Sequence, residues 1–350
     1  MRRRINFVAF VLALAVLASL FACGKTSVPT STPDSETPPQ YDKDKYQIAV
    51  LLCDAAMRSA SNQSVWAGAN KFAQESGLRI KWFSVNRNEE AEAEIDTIAS
   101  EGFTVVICAN GDINEALAVK AAQYPDITFA LIDAIPAEET LQNLTAVTIR
   151  AEEATFIAGY IAAAQTDTGS VGFLGGTENS PGFQLEAGFR AGAEYAAAER
   201  GEPITVHAEY VGNAYNRDGG YDLMDRMRLS GVGVVFVATS GDTAGGALYA
   251  ANLLGQKCIT MGDIAYMAPN HAIASVYKKM DQVAYLALRG ICDGTVKSEA
   301  VYYGISDGLA GLVKSSNLAE KLGEEFAARV DSIAEKLVKG EIKVSNKLVR

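Results

Sequence analysis

The sequence predicts an α/β protein built from two doubly wound parallel-sheet lobes joined by a hinge. From Tyr46 onward, short apolar runs rich in β-branched residues alternate with longer amphipathic stretches, the pattern of parallel β/α units. That alternation restarts once, just after Arg150. Setting the amino-terminal segment aside leaves about 300 residues, enough for two lobes of ordinary size with substantial cores.

In the first lobe, Ile48 to Cys53 reads as a strand and Asn62 to Gln74 as the helix after it. Strands at Ile80 to Val85, Val105 to Ala109 and Ile127 to Ile132 follow, separated by helices at Glu89 to Ser100 and Ile113 to Gln123. Each strand run is too short for a helix. After Val147 to Arg150 come a helix from Glu152 to Gln165 and a strand from Val171 to Leu174 that ends in Gly175-Gly176. Strands at Ile204 to Val211, Val234 to Ala238 and Cys258 to Met261 then alternate with helices at Phe183 to Glu199, Tyr221 to Leu229 and Ala244 to Leu254. The last segments are Ile273 to Tyr277, a helix near Asp281 to Ile291, Val301 to Gly304 and a long helix from Leu318 to Val338. Order alone assigns them to neither lobe, and such a tail can cross back between lobes and make a hinge. The division expected is 45–150 with about 264–300 in the first lobe, and 151–263 with about 301–340 in the second.

The amino terminus reads as a lipoprotein signal peptide over residues 1–22. Arg2, Arg3 and Arg4 precede an apolar run from Phe7 to Ala22 in which Ser19 is the single polar residue. Its sixteen residues fall short of the roughly 20 that cross a bilayer. Leu20-Phe21-Ala22-Cys23-Gly24 has the form of a lipobox, so Cys23 is the expected site of lipid attachment and of membrane anchoring outside the cytoplasm. Residues 23–44 form the expected tether, with Pro29, Pro33, Pro38 and Pro39 among Ser and Thr. At about 3.1 Å per residue for Pro-rich chain it would reach on the order of 50 Å from the lipid.

Cleavage before Cys23 removes three arginines and takes the net charge from −11 to −14. Such a surface repels nucleic acid and anionic lipid. Cys53, Cys108, Cys258 and Cys292 are widely spaced in apolar runs with no CxxC pair or Cys/His cluster, which favours buried free thiols over a zinc site. No cofactor is implied. Gly24-Lys25-Thr26 mimics the end of a phosphate loop but lacks its first glycine, and no HExxH, GxSxG or GxGxxG motif marks an enzyme.

Ligands of open α/β sheets bind outside the carboxyl ends of the strands. Those ends carry Asp54, Asn110, Asp133, Ser240-Gly241 and Asp263. Carboxylates from two lobes facing one cleft would offer charge-assisted hydrogen bonds to several hydroxyls, an arrangement suited to vicinal diols. Each acid, and Asn62 likewise, also has a plain local reading as a solvated strand end or helix cap.

Several segments, in order, resemble the basic membrane protein family of nucleoside-binding lipoproteins. They are Val50 to Asp54 with Asn62-Gln63 and Trp66-Ala67-Gly68; Tyr124-Pro125-Asp126 with Phe129 to Asp133; Phe156 to Gly159; Val171 to Gly176 with Gly188 to Gly192; Val235 to Ala238 with Gly241; and Gly262-Asp263, Ser275 to Asp281, Gly304 and Asp307-Gly308. The resemblance spans about Tyr46 to Val313 and implies a type I periplasmic-binding-protein fold that delivers solutes to the permease of an ABC importer. It further implies that Asp54 and Asn62 read the base, Asp133 the ribose hydroxyls, Gly241 a backbone contact, and Asp263 with Lys278 a polar set from the other side. Two aromatic positions of the family pattern are changed here. Ser61 stands before Asn62-Gln63, and Ala214 stands beside Tyr215, which is the ring left to stack on a base. A purine or other nucleoside is therefore the expected solute. A non-nucleoside sugar, a ligand-sensing lipoprotein of a signalling system and an enzyme on the same fold are the alternatives.

Overall fold

A computed structural model describes residues 40–53, 57, 59–85, 88–109, 113–134, 141–296, 299–313 and 318–348. The first lobe is assembled from β1 (Gln47–Cys53), α1 (Ala60–Ser76), β2 (Arg79–Val85), α2 (Ala91–Ser100), β3 (Val105–Ala109), α3 (Asn114–Gln123), β4 (Thr128–Ile132) and β5 (Leu144–Ile149). The second comprises α4 (Ala151–Gln165), β6 (Ser170–Gly175), α5 (Ser180–Arg200), β7 (Thr205–Tyr210), α6 (Arg217–Leu229), β8 (Val234–Ala238), α7 (Gly241–Leu254), β9 (Lys257–Met261) and β10 (Ala272–Lys278). The chain then runs through α8 (Met280–Cys292), β11 (Val301–Tyr303), β12 (Ala310–Leu312), α9 (Leu318–Leu322) and α10 (Glu324–Val338).

Two six-stranded sheets result, in the orders β2-β1-β3-β4-β5-β11 and β7-β6-β8-β9-β10-β12. All pairs are parallel except β12, which runs antiparallel to β10. The central strands β1, β3 and β8 are buried almost end to end, as a sheet covered by helices on both faces requires. In the second lobe α4 lies against α5 at backbone contact distance. A Cβ on Gly192 of α5 would come within 1.9 Å of the Phe156 carbonyl oxygen. The four described cysteines are buried free thiols.

The expected α/β class is the one found, but the division of the tail is corrected at two strands. β10, expected with the first lobe, joins the second sheet beside β9, and β11, expected with the second, joins the first beside β5. Apolar periodicity marks a strand without marking which sheet edge will receive it, and these edges were filled by pairing partners far away in sequence. The long terminal helix is also interrupted, at Gly323 with φ 91°.

The chain therefore crosses between sheets three times: at Arg150, at Lys279, and along 304–309. The crossings are tied to one another. Arg150 N donates to Tyr303 O at 2.7 Å and Lys279 N to Leu309 O at 2.8 Å. The Ile305 N–H donates to Glu153 Oε2 at 2.8 Å, and Arg150 Nε lies 3.3 Å from Glu153 Oε1.

Candidate ligand-binding cleft

A cavity of about 760 Å³ opens between the two sheets, within the usual range for small-molecule sites. In the first sheet the strand order reverses between β1 and β3, and in the second between β6 and β8. Such switch points are where open α/β sheets bind ligands. Both open into this one cavity: Cys53 and Ala109 line it from one side, Gly176 and Ala238 from the other. A second hollow of about 430 Å³ lies at the amino ends of β3 and β4, near Asp96 and Tyr124. There Asp96 is already engaged, accepting from Lys120 Nζ and from the Tyr124 hydroxyl, each at 2.8 Å.

Asp133 and Lys278 meet across the cleft as an ion pair, one ending β4 and the other ending β10. Asp133 is the single non-glycine residue with positive φ among the described residues, at 61°. Its N–H donates to Val147 O at 2.8 Å, so the turn after β4 is fastened to β5 while the carboxylate faces the cavity. Asn62 lines the cavity from the first turn of α1, whose start is capped by Ser59. Its Nδ2 donates to Cys53 O at 2.6 Å, tying the helix start to the end of β1. Tyr215 lines the second-lobe wall in a turn fixed by its N–H donating to Asn213 Oδ1 at 2.8 Å.

Three other expected site residues do not line the cavity. Gln63 is exposed and is not among the lining residues; its Nε2 donates to Met57 O at 2.7 Å. Gly241 and Asp263 are likewise exposed and do not line the cavity, although their neighbours Ser240 and Gly262 do. Gly262 has φ 84°, a bend only glycine takes easily, and the chain turns there before Asp263. Asp54, Asn110 and the lipid-attachment candidate Cys23 fall outside the described residues. Sequence reasoning passed over Thr239, Asn179 and Ser59, which also line the cleft. Their signal was position alone: each sits where a strand gives way to a helix.

Electrostatically, the starts of α1 and α5 and the N-cap of α7 all border the cavity, and helix amino termini carry partial positive charge. Behind it, at the first crossing, Glu152 is 4% exposed. Burial pushes its carboxyl up to about 7, opposed by its own backbone and by the hydrogen bond from Gln184 Nε2 at 2.5 Å.

Two lobes whose switch points share one cleft, with three tied crossings behind it, define a solute-binding protein. The comparisons say of what kind. Residues 45–347 match the family described as ABC transporter substrate-binding protein PnrA-like, and the chain belongs to that family. It is 27% identical to basic membrane protein A of Borreliella burgdorferi over 309 residues, covering 85% of this chain and 87% of that protein. It is also 27% identical to basic membrane protein A2 of Borrelia garinii subsp. bavariensis over 306 residues, with the same coverage of each. Among solved structures it is similar to an ABC transporter solute-binding protein of Aeropyrum pernix K1, with TM-score 0.76 and 21% identity over 87% of this chain and 94% of that one.

Proposed function

We propose that the protein captures nucleosides in the cleft and presents them to the permease of an ABC importer, with binding and release as its whole task. The observation that carries this reading is the Asp133–Lys278 pair. It places an acceptor and a donor from opposite lobes side by side in the cavity, a polar set matched to the adjacent hydroxyls of a ribose. A solute touching both lobes favours the closed arrangement, so capture is a population shift. On this reading Cys23 carries lipid and holds the protein on the outer face of the cell membrane. The names of its relatives, basic membrane proteins, agree with an anchored protein.

The test is a thermal-shift panel on the purified protein with ribonucleosides, 2′-deoxynucleosides and free ribose. Ligand at a hundred times its dissociation constant adds about 2.7 kcal/mol to folded stability, a rise of several degrees. Ribonucleosides should give that rise and deoxynucleosides much less. Equal protection by deoxynucleosides removes the diol from the reading, and protection by ribose with none by any nucleoside replaces nucleosides with sugars.

A further inference from the structure

The second-lobe wall of the cleft carries two hydroxyls at the junction of β8 and α7. Thr239 lines the cavity and is only 8% exposed, and its hydroxyl has no hydrogen-bond partner among the described residues. Ser240, also in the lining, is the N-cap residue of α7 but its hydroxyl makes no capping bond. The start of α7 is held by Thr243 instead. Its N–H donates to Ala214 O at 3.2 Å, and its hydroxyl donates to Asn213 O at 2.8 Å while accepting from Asn216 N at 3.0 Å. The two preceding hydroxyls are thereby left to the cleft. Beside them, at the end of neighbouring β6, Gly176 keeps the space open, since a Cβ there would lie 2.5 Å from Thr239 Oγ1.

The Thr239 side chain is mostly buried, but its hydroxyl oxygen is not among the buried unpartnered atoms, so it opens onto the cavity, where a ligand acceptor can take the place of water. Retaining the hydroxyl makes physical sense when a ligand completes its bond. The positive end of the fourteen-residue α7 favours an acceptor at this place. Stacking offers little help to a bound base here, because Tyr215 is the single aromatic ring among the described lining residues.

We propose that Thr239 and Ser240 form a subsite that donates hydrogen bonds to a carbonyl oxygen of the bound solute. This rests on the nucleoside reading, in which that oxygen is a keto group of the base.

Isothermal titration with inosine and with purine riboside, which lacks the 6-oxo group and with it the N1–H, tests it, and the Thr239 variant separates the oxygen from the N1–H. The wild type should favour inosine by roughly threefold to tenfold, the worth of one neutral hydrogen bond. Thr239→Val should lose that preference while its ligand-free melting temperature stays level, and Ser240→Ala should lessen the preference. Equal binding of the two nucleosides by the wild type, or an undiminished preference in Thr239→Val, overturns the subsite. Wild-type protein that binds neither nucleoside overturns the nucleoside reading itself, a distinct result.

Discussion

Asp133 ends a strand of the first sheet, Lys278 ends a strand of the second, and their side chains form an ion pair in which the carboxylate is 10% and the ammonium side chain 17% exposed. Each lobe thus supplies one half of a largely desolvated pair. A solute that takes over both partners contacts both lobes at once.

Replacing Asp133 by Asn removes the charge but keeps a residue that tolerates left-handed backbone, so the fold should hold while affinity for the preferred ribonucleoside falls about tenfold or more. Asp133→Ala should lose as much affinity and, forced to positive φ, about 1 kcal/mol of stability besides. Titration calorimetry with chemical denaturation separates the two effects. Unchanged affinity in Asp133→Asn and in Lys278→Met together would rule out this part of the cleft as the ligand site.

Glu152 makes stability depend on pH. Burial raises its folded carboxyl to about 7 from an ordinary 4.5, so the folded protein holds a proton that the unfolded chain has released. Stability from this group is full below about 4.5, is lost as pH rises towards 7, and stays low above it. The effect is at most on the order of 3 kcal/mol. Glu152→Gln mimics the protonated form and can still accept from Gln184, so it should melt above the wild type at pH 8 and show a flatter profile between pH 5 and 8. A wild-type profile as flat as the variant's would contradict the assignment.

At the hinge, Glu153 serves two crossings. Glu153→Gln keeps an acceptor for the Ile305 N–H and loses only the pairing with half-exposed Arg150, which should cost under about 1 kcal/mol. Glu153→Ala strands the Ile305 N–H and should cost about 1 to 3 kcal/mol. Gly304→Ala should be no milder, because its Cβ would fall 2.3 Å from Glu153 Oε2. Urea unfolding of the three variants gives the order, and a Gln variant as damaged as the Ala variant would show that the charge pair matters more than the backbone bond.

If lipid on Cys23 anchors the protein, Cys23→Ser should shift it from the membrane fraction to the soluble fraction of the producing cell. Retention as tight as that of the wild type would mean that something other than this cysteine holds it.

Much of this architecture was legible in the sequence. Val105–Ala109 and Val234–Ala238 were readable to the residue, because five consecutive apolar residues are bounded by Thr104 and Asn110 in the first and by Gly233 and Thr239 in the second. The helix expected from Tyr221 begins four residues earlier, at Arg217, where Asn216 caps α6 by accepting from Gly219 N at 2.9 Å and the helix runs through Gly219-Gly220. β5 begins three residues before the expected Val147, at Leu144, because Thr145 interrupts the apolar run although it is buried. In the cleft, Asp133 was visible as an acid at a strand end. Lys278 came through family resemblance alone, since a lysine after an apolar strand ordinarily faces solvent. Thr239 gave no signal, because partner satisfaction is a property of three-dimensional neighbours.

The exchanged strands at the end of the chain bear on how the molecule is made. Val147 of β5 pairs with Val301, and Val276 of β10 pairs with Leu312, so both sheets take their outermost strand from the same short stretch. A chain that emerges amino end first leaves β5 as an unprotected edge until the residues of β11 arrive, after most of the second lobe. Neither sheet is complete until that stretch arrives, and then both are finished within a dozen residues. Such late, distant pairing slows folding, because long loops must close before their contacts form. Truncation before Val301 would leave two sticky sheet edges where the full chain has none at those strands.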